Sequence, residues 1–146
     1  MSALHQSNRP GVLGIIAAAA ISLAACSGMP YGNQVRVTLS GDQEVPAVTT
    51  SASGGGTITI NADQTVSGSV TTTGVAGTAA HIHHAAAGKN GPVIVPLTKS
   101  GDGSWSVAAG AKLTDAQYEA YKAGDLYINV HSAENKGGEI RGQLKP

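Results

Sequence analysis

The segment Val35-Arg36-Val37-Thr38-Leu39 alternates apolar and polar residues one by one. Successive side chains of a strand point to opposite faces, so a segment of this kind buries one face and wets the other. The pattern returns along the chain in short pieces divided by turn residues. Gly56 to Ile60 repeats it with Ile58 and Ile60 inward, and Asn61-Ala62-Asp63-Gln64 turns it into a partner strand starting at Thr65, which predicts a hairpin. Ala79 to His84, Val93 to Leu97, Ser104 to Ala108, Leu126 to His131 and Glu139 to Leu144 read as further strands. Gly, Asn, Pro and Asp supply the turns between them, as in Asn90-Gly91-Pro92 and Lys136-Gly137-Gly138. Trp105 alternates with Val107 and is expected in the core. Past residue 33 the chain is rich in Thr, Val, Ile, Ser and Gly and lacks Phe, so long helices are not expected. The exception is Thr114-Asp115-Ala116-Gln117, where Thr114 and Gln117 have capping-box spacing and predict a short helix ending near Ala123-Gly124. About eight short strands with one short helix near Thr114–Ala123 predict an all-β domain, a single Greek-key-like β-sandwich.

The 146 residues suffice for one such domain and a leader. Arg9 precedes a wholly uncharged stretch of small and apolar residues from Gly11 to Ala25. A charged start followed by a short apolar run and small residues is a secretory signal. The run is shorter than the ~20 apolar residues that a spanning helix needs. It ends in Leu23-Ala24-Ala25-Cys26-Ser27, which resembles the bacterial lipobox. That resemblance implies removal of residues 1–25, lipidation of Cys26 and export to the cell envelope, with Ser27 compatible with transport to the outer membrane. The competing reading is an ordinary cleavage site beside an incidental cysteine. Cys26 is the single cysteine, which excludes an intramolecular disulfide. Residues 26–34 then form a lipidated N-terminus and Gly/Pro-containing tether, and residues 35–146 form the domain. Without Arg9, eight basic residues face nine acidic ones. A near-neutral domain with no basic face and few aromatics is not expected to bind nucleic acid. Its contact with the membrane is expected through the lipid.

Four of the five histidines fall in two short segments, Ala80-His81-Ile82-His83-His84 and Asn129-Val130-His131. On a strand, His81 and His83 share one face while Ile82 points to the core. In the second segment Leu126, Ile128 and Val130 point inward, and Tyr127, Asn129 and His131 point outward. If the two strands lie close, three imidazoles converge. A set of neutral imidazoles without thiolate suits Cu(II) or Zn(II). His84 alternates to the Ile82 side at the end of its strand; it is a fourth ligand, a neighbour of the ligands or a surface histidine. Arg141 and Glu139 flank Ile140 on the last strand. Either they form a cross-strand ion pair on a wet face, or Arg141 attracts a small anion to the metal and Glu139 orients a ligand imidazole.

Several motifs occur in order: Leu39-Ser40-Gly41-Asp42-Gln43-Glu44-Val45-Pro46, Ala79-Ala80-His81-Ile82-His83, Gly88-Lys89-Asn90-Gly91-Pro92-Val93, Tyr127-Ile128-Asn129-Val130-His131-Ser132 and Gly138-Glu139-Ile140-Arg141-Gly142-Gln143-Leu144. Together they resemble the successive motifs of the CHRD domain, the extracellular module named after chordin, across the whole expected domain. The departures are Ala85 after the histidines, where Gly is common, and Ala47, where a second Pro is common. A weaker resemblance is to Cu,Zn superoxide dismutase, which pairs an H-x-H strand with a distant copper-binding histidine. It implies copper ligation by His81, His83 and His131, with His84 the one spare histidine for the metal-bridging place. The zinc ligands and the disulfide of that family have no counterpart. What it implies is therefore a copper-only site with dismutase-like redox chemistry and no organic cofactor.

Three functional readings stand at this level. The histidines hold copper at the cell envelope. Alternatively, the domain is a non-enzymatic module for a protein or glycan, with its protein partner unassigned. In the third, the imidazoles are structural, buried and hydrogen-bonded to Asn129, Glu139 or backbone across the sandwich. Hydrolysis and nucleotide binding find no support. No Ser-His-Asp arrangement stands out, and Gly54-Gly55-Gly56 is not followed by Lys-Ser/Thr.

Overall fold

The structure, a computed structural model, describes Met1 and residues 33–146. The expected leader, Cys26 and most of the tether lie outside the described residues. Eight strands form: β1 (Asn33–Ser40), β2 (Ser53–Ile60), β3 (Val66–Thr73), β4 (Gly77–His84), β5 (Val93–Gly101), β6 (Ser104–Val107), β7 (Leu126–Ser132) and β8 (Ile140–Leu144). A short 3-10 helix, Gly41–Gln43, follows β1, and α1 (Asp115–Lys122) lies between β6 and β7. Among the described residues no helix is long and apolar enough to cross a membrane.

The local expectations meet direct counterparts. β2 and β3 form the hairpin, in register from Ser53↔Thr73 to Ile60↔Val66. At α1 the Gln117 backbone N–H donates to Thr114 Oγ1 at 3.2 Å, and the Thr114 N–H donates back to Gln117 Oε1 at 2.9 Å. This reciprocal cap satisfies two otherwise orphaned donors at the helix start. The helix stops at Ala123, and Gly124 follows with φ of 79°, the left-handed conformation that glycine adopts without strain.

The expected sandwich is corrected to a closed barrel, with strand order β1-β2-β3-β6-β5-β4-β7-β8. β4, β5 and β6 follow one another as neighbours. β7 then returns through α1 to lie beside β4, which is a Greek-key connection. A period of two reports only that each strand buries one face, a demand that sandwich and barrel meet equally well. Closure is decided at the strand edges. β3 meets β6 from Ser69↔Ser106 to Thr71↔Ser104, and β1 meets β8 at Ser40↔Arg141. The second seam requires glycine: a Cβ on Gly142 would run into the Thr38 carbonyl oxygen. The interior is filled by branched side chains and one indole, as in other small barrels. Leu39, Ile58, Ile60, Ile82, Ile128 and Ile140 are fully buried there, and Trp105 is 2% exposed.

The outer face of β4, β7 and β8 is also covered, and this positions the site. Tyr127 and Asn129 point outward from the barrel as expected, yet they are 2% and 1% exposed, and Arg141 is 1% exposed. Segments 41–52, 85–92 and 133–139 lie over them. The loops are stitched to one another and to the strands. Asn90 Nδ2 donates to the Val45 carbonyl at 2.6 Å, and Thr50 Oγ1 donates to Glu139 Oε1 at 2.9 Å. Gln143 Nε2 donates to the carbonyls of Ala85 and Gly124, each at 2.9 Å. The result is a second, polar core on the outside of the barrel.

Candidate metal centre

β4 and β7 run antiparallel with His81 opposite Asn129, His83 opposite Tyr127 and Ala79 opposite His131. The two strands therefore bring His81, His83 and His131 onto one outer patch. One ring nitrogen from each lies within 4.8 Å of the other two. His81 Nδ1 is 3.1 Å from His131 Nε2. Metal–imidazole bonds are ~2.0–2.1 Å, so two nitrogens on one ion at a near-right angle are about 3 Å apart. The widest span two such bonds allow is ~4.2 Å, so closing the triad on an ion asks for a ring movement of under ~1 Å. His83 is buried, while His81 and His131 are half-buried. The patch is thus closed on one side and reachable on the other.

Backbone carbonyls set two of the three tautomers. His83 Nδ1–H donates to the Gly91 carbonyl at 2.9 Å, and His131 Nδ1–H donates to the Lys136 carbonyl at 2.8 Å. A carbonyl can only accept, so in the neutral form of each ring Nε2 carries the lone pair that a metal needs. Burial holds His81 below the ordinary imidazole range, helped by repulsion from His131 and His83. Burial also lowers His83, against the opposing pull of the Gly91 carbonyl and the Asn129 side chain. Both rings are therefore neutral near pH 7, the state that ligates.

His83 is also wedged from the side. Its ring stacks on Tyr127 at 4.8 Å between centroids and 9° between planes. The Arg141 guanidinium carbon lies 3.4 Å from the centre of the Tyr127 ring. Because β7 runs between β4 and β8, the phenol has an imidazole on one flank and a guanidinium on the other. Arg141 also donates to Asn90 Oδ1 at 3.3 Å, to the Ala86 carbonyl at 3.4 Å and to Gln143 Oε1 at 3.3 Å. It thereby holds the 85–92 loop, whose Gly91 carbonyl fixes His83 and whose Gly91 N–H donates to the Tyr127 hydroxyl at 3.3 Å.

The arrangement differs from sequence expectation at three residues. Arg141, for which both an ion pair with Glu139 and attraction of a small anion were open, is buried among protein acceptors. Glu139 accepts from Thr50 and orients no imidazole; its carboxyl is held below the usual range by its hydrogen bonds, the one with Ser132 first. Among the described residues the ion pair within 4.0 Å is Lys122–Glu119, so Arg141 and Glu139 do not form one. His84 is exposed at the end of β4 and is not among the three converging histidines. Alternation sends it away from His83.

Residues for which the sequence indicated no role beside the histidines are Glu44, Asn90, Gly91 and Tyr127. Glu44 is 6% exposed, and burial pushes its carboxyl up to about 7 against the pull of Arg141. Alternation along β7 did place Tyr127 and Asn129 on the His131 side. What it lacked was any sign that loops cover that side.

Residues 35–144 match the family described as CHRD domain. No curated protein and no solved structure matches the chain.

Proposed function

This chain belongs to the CHRD-domain family, and from that premise we propose that its barrel is a transition-metal-binding module whose ligands are His81, His83 and His131. The observation that carries this reading is the convergence of three imidazole nitrogens within 4.8 Å, with two rings locked by backbone carbonyls into the ligating tautomer. While His83 is neutral its Nε2 is buried beside the Asn129 amide oxygen with no donor between them, an arrangement that a cation relieves.

We take the metal to be copper. An all-imidazole set suits both copper and zinc, and Cu(II) binds nitrogen donors more tightly than Zn(II) does. Copper held by His81, His83 and His131 would supply one-electron exchange, and superoxide is the candidate substrate because one molecule can reduce Cu(II) and a second, with protons from water, can reoxidise Cu(I). The chain's residues keep the ligands neutral, hold them at fixed angles and leave one side of the patch open. Arg141 and Tyr127 hold the buried side. Attachment through Cys26 would display the module at the cell envelope, on the periplasmic face of the outer membrane or the cell surface. The alternative of an apolar docking module gains nothing here. Within the described barrel, Val93 is the one exposed large hydrophobic side chain.

The test is metal content after loading with copper or zinc and desalting. The wild type is expected to retain about one copper per chain, the three-donor stoichiometry. His83→Ala is expected to retain none. Equal metal content in the two proteins would contradict the reading. A superoxide-consumption assay on the loaded protein then decides whether the ion turns over.

A further inference from the structure

Asn129 lies at the centre of the histidine patch. It stands opposite His81 across the β4–β7 ladder and two residues before His131 on its own strand. It is diagonal to His83, whose direct partner is Tyr127. It is 1% exposed, and its Oδ1 has no hydrogen-bond partner. The amide orientation is determined by its surroundings. Nδ2 donates to the Gly137 carbonyl at 3.2 Å. The same nitrogen and Glu44 Oε1 meet at the Cα of Gly138, where a side chain would have no room. Turning the amide over would set its oxygen against the Gly137 carbonyl and the Glu44 carboxyl. Oδ1 is therefore the atom left for the histidine side, where the Asn129 side chain bears on the His83 ring.

The second buried atom without a partner here is His83 Nε2. Its ring has already given Nδ1–H to Gly91. Two acceptor lone pairs, one nitrogen and one oxygen, thus belong to neighbouring buried side chains, and while His83 is neutral neither meets a donor; only a proton on Nε2 would join them, which is the upward pull that Asn129 exerts on His83. Buried polar atoms are normally satisfied. A cation satisfies both lone pairs at once.

We propose that Asn129 Oδ1 is a fourth donor to the metal, an oxygen on the buried side of the His81, His83 and His131 set. This rests on the metal-binding reading above and adds a ligand to it. A neutral carboxamide oxygen is a hard donor. It favours Cu(II) over Cu(I) within a donor set otherwise made of imidazole. It also explains why Asn129 is clamped by Gly137 on one side and left open on the other.

The test compares the copper-loaded whole protein with Asn129→Ala and Asn129→Asp, by electron paramagnetic resonance and by copper affinity in competition with a chelator. Ala removes the oxygen. It is expected to weaken Cu(II) binding on the order of 10-fold, to change the g and hyperfine values and to raise the Cu(II)/Cu(I) potential. Asp has almost the same shape and supplies a charged oxygen. It is expected to tighten Cu(II) binding and to lower the potential. If Asn129→Ala fails to fold, Asn129→Asp decides alone. Spectra that show nitrogen ligation in the wild type and do not change in the variants would overturn the proposal and leave the histidine triad standing. They would mean that a water or a ring movement satisfies these atoms. A wild-type protein that retains no copper would overturn both.

Discussion

The two faces of β4 and β7 make opposite uses of the same strands. Inward, Ala80, Ile82, Ile128 and Val130 are fully buried and purely apolar, and packing alone decides which residues fit. Outward, His81, His83, Tyr127, Asn129 and His131 form a polar layer that is nearly as well covered on its deep side. There, atoms are placed for their lone pairs. On the inner side the one buried polar side chain of these strands, Ser132 at the end of β7, is satisfied, its Oγ accepting from the Asn135 N–H. The outer face leaves two buried acceptors without partners, His83 Nε2 and Asn129 Oδ1. Unpaired acceptors cost stability, ~1–3 kcal/mol each. The contrast teaches that the inner face pins the register and the outer face spends part of that stability on a site.

Adjacent residues of one strand sharpen the contrast most. Ile82→Ala is expected to destabilise the barrel by ~2–5 kcal/mol, the usual cost of truncating a fully buried aliphatic side chain. Metal stoichiometry should be unchanged as long as the protein remains folded. His83→Ala is expected to remove the metal and to destabilise less than Ile82→Ala, since loss of the Tyr127 stack and the Gly91 hydrogen bond is partly offset by removal of an unsatisfied nitrogen. Urea unfolding beside metal analysis checks both. Similar stability losses in the two variants would break the division of labour.

Glu44 gives the next largest effect. It ionises near 4.5 when free and near 7 when buried in the outer layer. The folded state therefore holds its proton more tightly than the unfolded state, and the stabilising effect of that neutral form is complete below pH 4.5. It is lost as pH rises towards 7 and is gone above that. The loss is on the order of 3 kcal/mol, at about 1.4 kcal/mol for each pKa unit. Glu44→Gln keeps the shape and cannot ionise, so its unfolding free energy should decline less across this window. Parallel pH profiles for wild type and variant would place the pH dependence elsewhere.

Tyr127→Phe should have the smallest effect. It removes the hydroxyl that accepts from the Gly91 N–H at 3.3 Å and retains the ring between His83 and Arg141. The expected loss is under ~1 kcal/mol, with the metal still bound. Tyr127→Leu abolishes the aromatic stack as well and should loosen His83, visible as lower copper affinity. Equal affinities for the Phe and Leu variants would show that the stack does not position the ligand.

Much of this was legible in the sequence where information is local. Alternation places His81, His83 and His131 on one kind of face, and Thr114 with Gln117 marks the start of α1. Closure of the barrel was not legible, because it depends on edges far apart in sequence. Ser40 meets Arg141 there, and Gly142 must lack a side chain for Thr38 to approach. Arg141 reads as an exposed strand residue until the 85–92 loop is seen to fold over it. Asn129 reads as a wet polar residue for the same reason. Burial by loops leaves no periodic trace.

The account turns on whether the outer face of β4 and β7 holds a metal. The most direct measurement is copper content per chain after loading and desalting, for the wild type beside the His81→Ala/His131→Ala double variant. The account predicts about one copper in the wild type, bound by the three imidazoles, and none in the variant, with the two proteins equally folded. A wild type that retains no copper, or a double variant that retains as much, would contradict it.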